Sequence, residues 1–192
     1  MNKHLKPNEL DLVSTVLGNN QAHGIINKME KSELVDSEYA CYGYFVDKPD
    51  PVFAVAVKSS PSIWLPVFAH ESCHVDQYIE KSPLWNTTYR GRDVYEVFGD
   101  WLNKRIELRK KNIDSIIRTI VELEHDCETR TLKKMRKYKL NIDYSKFFND
   151  ANTVIISYRQ AAIERTWYTS AIEIAEDTRL LTIDEIYKIT LA

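Results

Sequence analysis

The chain has 192 residues, of which 44% are hydrophobic and 28% are charged, a composition typical of a globular protein. Its 26 basic and 28 acidic residues give a net charge of −2, so no basic excess indicates a nucleic-acid partner. The longest apolar run, 63–69, is too short to span a bilayer, the N-terminus lacks the apolar stretch of a signal peptide, and three cysteines are too few for a disulfide scaffold. We therefore expect one cytoplasmic domain over residues 1–192, with no membrane or nucleic-acid partner.

The first half of the chain carries signals for both helix and strand. Asn8 predicts the cap of a short helix that ends near Gly18, with an apolar face of Leu10, Val13 and Leu17. The stretches 40–46 and 52–58 are rich in β-branched and aromatic residues and flank turn residues, which predicts a β-hairpin. A further helix is predicted from about Ser62 to about Lys81.

The second half is predicted to be almost entirely helical. Every proline and every glycine lies at or before Gly99, so residues 100–192 lack both of the strongest helix breakers. Thr182 and Glu185 have the spacing of a capping box that opens a short final helix. The helices before it are predicted at 94–108, 112–138 and 145–176. The predicted class is α+β and predominantly α-helical, with a small β-hairpin or sheet in the N-terminal half, then the helix at 62–81 and long C-terminal helices.

The predicted helix at 62–81 contains the run His70-Glu71-Ser72-Cys73-His74, which has the pattern H-E-x-x-H. Residues four apart lie on one face of a helix, so the two imidazoles can bind one tetrahedral zinc ion. The intervening Glu71 is placed to contact a metal-bound water and to act as a general base. The alternative is a pair of hydrogen-bonded histidines in the core, with no metal.

A catalytic zinc ion needs a third protein ligand, and the acidic cluster 122–128 on a later helix supplies the candidates. Helical phase distinguishes them, because Glu124 continues the apolar stripe of that helix and Glu122 falls on the opposite, solvated face. We therefore predict Glu124 as the metal ligand. Glu128, one turn later, is placed to hydrogen-bond a ligating imidazole. Cys127 is an alternative ligand in place of Glu124, through its thiolate.

These residues resemble the zincin metallopeptidases, and among them the gluzincin type, in which H-E-x-x-H lies on one helix and a glutamate ligand on a later one. The resemblance covers about residues 52–135. It implies zinc, peptide-bond hydrolysis, a strand before the motif helix, and a substrate that lies extended along an edge strand. It departs from known families because Glu128 stands where the thermolysin-type pattern has aspartate, and because the stretch between His74 and Glu124 is long.

The sequence thus predicts a zinc metallopeptidase that acts on a peptide or protein substrate, with His70, His74 and Glu124 as ligands and Glu71 as base. The alternative is a catalytically silent or regulatory protein in which the same scaffold is a metal-stabilised interaction module.

Overall fold

The computed structural model describes residues 5–36, 41–167, 178–189 and 191. Its helices are α1 (Pro7–Ala22), α2 (Pro61–Ile79), α3 (Val94–Leu102), α4 (Lys110–Lys137), α5 (Tyr144–Glu164) and α6 (Ile183–Lys188). Its strands are β1 (Ile26–Glu30), β2 (Gly43–Val46), β3 (Val52–Ala56), β4 (Thr88–Tyr89) and β5 (Arg92–Asp93). Helix predominates and a small sheet lies in the N-terminal half, which confirms the predicted α+β class. Across these ranges, no helix combines the length and apolarity needed to cross a membrane.

The chain forms two compact units. The first comprises Met1–Lys81 and Cys127–Asp143, and the second comprises Ser82–Asp126 and Tyr144–Ala192. Helix α4 therefore contributes its residues up to 126 to the second unit and its remaining residues to the first. The single domain expected over residues 1–192 stays a prediction.

The sheet of the first unit has the strand order β1-β3-β2. The predicted hairpin is confirmed by β2 and β3, which pair antiparallel, whereas β1 pairs parallel with β3. Helix α2 packs on this sheet through a T-shaped contact of Phe68 with Phe53, whose ring centroids are 5.2 Å apart. Both rings are fully buried, so the hydrophobic effect fixes the helix that carries the H-E-x-x-H motif to its sheet.

The first unit differs from the predictions in the bounds and face of α1, and it contains one strand, β1, that was not predicted. Helix α1 begins after Lys6 and continues through Gly18 to Ala22, and Leu10 is 54% exposed while Leu12 is fully buried. A glycine inside a helix costs only about 1 kcal/mol, which the buried face of α1 outweighs. Strand β1 was not predicted, because its alternation is weak and its order comes from pairing with β3.

The second unit is built around a core of side chains from α3, α4, α5 and α6. Thr182 forms the predicted capping box with Glu185 at the start of α6. Helix α3 ends at Leu102, not at 108, and α5 ends at Glu164, well short of 176. Positive φ angles at Lys104 and Arg165 follow these two ends, as in glycine-type helix stops. Residues 168–177 of the predicted helix lie outside the described residues.

Candidate metal centre

Helix α2 holds His70, Glu71 and His74 in a largely buried position. The helix begins at Pro61, after Ser60 in extended backbone. A proline is tolerated at the first helical position, because the N–H that it lacks would have no partner within the helix. The rings of His70 and His74, one turn apart, have centroids 4.8 Å apart and are nearly perpendicular. The predicted pair of imidazoles on one helix face is therefore present.

Cys127 brings a third donor to these histidines. One ligand atom each from His70, His74 and Cys127 lie within 4.8 Å of one another, all in the first unit. The Cys127 thiol also donates to the His70 carbonyl at 3.4 Å, and its Sγ lies 3.6 Å from His70 Nδ1. Helix α4 thereby delivers a buried sulfur atom to the motif on α2.

The chemistry of this group fits a metal ion. Two imidazoles and a thiol are the donors that zinc prefers, and a tetrahedral ion holds such donors about 3.3–3.8 Å apart. The largest distance between the three donor atoms, 4.8 Å, exceeds the upper end of that range by about 1 Å. Glu128 Oε2 is also buried at this place with no hydrogen-bond partner in the part of the chain that the structure describes. A buried polar atom of this kind is typical of a site that takes a ligand. The group can therefore hold a metal ion.

Each histidine has a second contact at its Nδ1 atom. Glu128 Oε1 lies 3.0 Å from His70 Nδ1, and Gln77 Oε1 lies 2.9 Å from His74 Nδ1. Histidines that ligate a metal through one ring nitrogen usually donate the other N–H to such an acceptor. The structure thus brings Glu128 within hydrogen-bonding distance of one of the two motif imidazoles, that of His70.

Electrostatics at His70 favour the charged ring. Burial lowers the pKa of His70, but the neighbouring Cys127 and Glu128 outweigh burial, so that the pKa lies well above its usual range. The two acidic groups that draw a proton to this imidazole would equally attract a cation. The field at the donor group therefore suits a metal ion.

Glu71, which follows His70 in the motif, is buried and lies close to strand β2. A Cβ atom added to Gly43 would lie 3.0 Å from Glu71 Cγ and 2.8 Å from Val67 Cγ1, so only glycine allows the strand to approach α2 this closely. Burial raises the pKa of the Cys41 thiol, a hydrogen bond to the Gly43 carbonyl opposes that rise, and the nearby Glu71 carboxylate adds to it. The predicted base therefore stands beside the backbone of a strand.

Glu124, the predicted ligand, lies in the second unit. It is buried, and its Oε1 accepts hydrogen bonds from Tyr95 at 2.5 Å and Tyr158 at 3.5 Å. Glu122 pairs with Arg118 on a more exposed part of the helix, in agreement with the helical phase. The role of Glu124 as a metal ligand stays a prediction.

Two residues at this centre are difficult to recognise from the sequence. Cys127 was predicted only as an alternative to Glu124, because a cysteine within an apolar stripe usually belongs to the hydrophobic core. Gln77 belongs to no motif, although its spacing of three residues from His74 on one helix places the two side chains together.

Comparison of the chain with protein-family models, curated proteins and solved structures found no match. The resemblance to the gluzincins therefore depends on the motif alone.

Proposed function

We propose that this protein is a zinc-dependent hydrolase of peptide bonds, with His70, His74 and Cys127 holding the metal and Glu71 acting as general base. The observation that carries the proposal is the buried group of three donors around a motif helix that also bears Glu71. Three protein ligands leave one position of a tetrahedral ion for substrate and water, as catalytic sites require. When bound, zinc supplies a Lewis acid that polarises a carbonyl and acidifies water.

The proton transfers fall to Glu71. Its carboxylate takes a proton from the attacking water as the bond to the carbonyl carbon forms, and delivers that proton to the leaving amine as the C–N bond breaks. Burial removes competing water from this carboxylate and strengthens its electrostatic interactions. The Gly43 backbone, with no side chain in between, fixes one wall beside it.

Strand β2 offers a place for an extended substrate. It lies at the edge of the sheet. The Ala56 N–H donates to the Tyr42 carbonyl, which shows which residues of this strand hydrogen-bond to β3, since every second residue does so in an antiparallel pair. By that alternation Tyr44 bonds to β3, whereas the backbone groups of Gly43 and Phe45 point away from it. At Cys41 this edge is already paired with Asp36, and the Gly43 carbonyl accepts the Cys41 thiol. A peptide that adds to the edge beyond that bridge would pass the glycine next to Glu71.

Substitution of Glu71 by glutamine tests the proposal, because the amide keeps the shape of the side chain and cannot accept the proton. We expect hydrolysis of fluorescently labelled casein or of a peptide library to fall by about 10²–10⁴-fold, with zinc content unchanged. Glu80→Gln, the same change at an exposed position just after α2, should leave hydrolysis intact. Equal rates for the wild type and Glu71→Gln would refute the mechanism.

The second candidate is a metal-stabilised interaction module, and the buried thiol favours it. Cys127 is fully buried and lies 57 residues beyond His70 in the chain, so a metal at this centre would tie two distant segments together. In that case Glu71→Gln leaves the biological activity unchanged, whereas loss of zinc abolishes it. A reducing compartment keeps a free thiol available as a ligand, so the proposal for either candidate includes a location in the cytoplasm.

A further inference from the structure

The two motif histidines have chemically different partners at Nδ1. His70 contacts a carboxylate, that of Glu128, while His74 contacts the neutral side-chain amide of Gln77. Gln77 is fully buried and lies three residues after His74 on the same helix, so the contact is local and held by packing. A fully buried glutamine is uncommon and is retained only where its amide is satisfied.

The amide fixes the protonation pattern of the His74 ring. The atom 2.9 Å from His74 Nδ1 is the carbonyl oxygen of Gln77, which only accepts hydrogen bonds. In this arrangement the neutral imidazole carries its proton on Nδ1 and its lone pair on Nε2. An imidazole in this form is already in the state that a metal ion requires, so no tautomer change precedes binding.

We propose that Gln77 is a positioning residue for His74, which fixes the tautomer and orientation of this ligand without adding a negative charge to the centre. The inference deepens the proposed function and depends on it. A carboxylate partner makes a ligating imidazole more basic and strengthens metal binding. The neutral amide holds the ring in place while leaving the metal more electrophilic than a second carboxylate would.

The tautomer is measured first, on the metal-free protein labelled with ¹⁵N in its histidines. Long-range ¹H–¹⁵N correlation spectra should show the proton of His74 on Nδ1 in the wild type and a mixture of tautomers in Gln77→Leu. Gln21→Leu, the same change at an exposed position on α1, should leave the spectrum of His74 unchanged. An unchanged Nδ1–H tautomer in Gln77→Leu would overturn the inference.

Zinc affinity, measured by competition with a chelating dye, gives the second readout. Gln77→Leu should weaken binding by about 10–100-fold, and the nearly isosteric Gln77→Glu should strengthen it by about 10-fold, because it creates a second carboxylate–histidine pair. A gain in affinity cannot come from a damaged fold. If Gln77→Glu binds zinc no more tightly than the wild type, the inference fails while the metal centre stands. If the wild type binds no zinc at all, the proposed function itself fails.

Discussion

Zinc should stabilise the protein through Cys127, and Cys127→Ser should remove most of that stabilisation. His70 and His74 are neighbours on α2 in any helical segment, whereas the thiol is 57 residues further along the chain. In the unfolded state the thiol reaches the histidines only by closing that loop. The folded state has already gathered all three donors within 4.8 Å. Zinc therefore binds the folded state in preference, and its binding free energy appears as folding free energy.

The magnitude follows from the loop length. Closing a loop of 57 residues costs about 3.6 kcal/mol by the (3/2)RT ln n relation. The unfolded state therefore binds zinc about 450-fold more weakly than the folded state, and saturating zinc raises the free energy of unfolding by up to about 3.6 kcal/mol. For a chain of this length the corresponding rise in Tm is about 7–14 °C.

The assay is urea and thermal unfolding, followed by circular dichroism, of the wild type and three variants with and without zinc. Cys127→Ser should keep most of the metal-free stability and lose the zinc increment. Cys73→Ser, a control at another buried cysteine of the same unit, should keep that increment. Substitution of cobalt for zinc adds a spectroscopic check, because a thiolate ligand gives a charge-transfer band that Cys127→Ser would remove.

Glu124→Ala is the third variant, and it decides between the two candidate ligands. If Cys127→Ser retains the zinc increment and Glu124→Ala loses it, the assignment of Cys127 is wrong and the ligand predicted from helical phase is correct. If both variants retain it, the loop argument fails altogether.

Three further predictions concern stability. Tyr95→Phe should lower the free energy of unfolding by about 1–3 kcal/mol, since it removes the donor that lies 2.5 Å from the buried Glu124 carboxylate; Tyr158→Phe, at 3.5 Å, should cost less in the same urea titration. Arg179 and the cap of α6 lower the pKa of Glu185, so its contribution to the free energy of unfolding is present at about pH 7 and is lost as the pH falls below about 4. The Tm difference between the wild type and Glu185→Gln should therefore shrink over that range, and a difference that grows would contradict the prediction. Lys104→Gly should stabilise the protein by about 0.5–1 kcal/mol, because φ is 58° there and glycine adopts that angle without strain, whereas the same change inside an exposed stretch of α4 should destabilise.

Local patterns were sufficient to predict the features that come from neighbouring residues. Helix α2, its motif and the pairing of β2 with β3 follow from periodicity, turn residues and the apolar run before His70. Helical phase on α4 likewise predicts that Glu128 reaches a motif imidazole, whereas the choice of His70 comes from the structure. These features depend on residues a few positions apart, whose geometry is set by the backbone.

Features that depend on distant residues could not be predicted in this way. Strand β1 is ordered by parallel pairing with β3, and α5 ends at Glu164 because Arg165 donates to the carbonyls of Trp101 and Ile106, about 60 residues earlier. The role of Cys127 could not be predicted for the same reason, because a cysteine on an apolar stripe usually belongs to the hydrophobic core and only the structure shows that this one lies beside His70.

The discontinuity of the first unit has a consequence for the newly made chain. Residues up to Lys81 leave the ribosome before any of the segment Cys127–Asp143 that completes their unit. Synthesis at about 5–20 residues per second puts about 2–9 s between Lys81 and Cys127. During that interval both motif histidines have been made and the thiol has not. If the protein binds zinc as proposed, the nascent chain can bind it with the full donor set only after Cys127 has been synthesised.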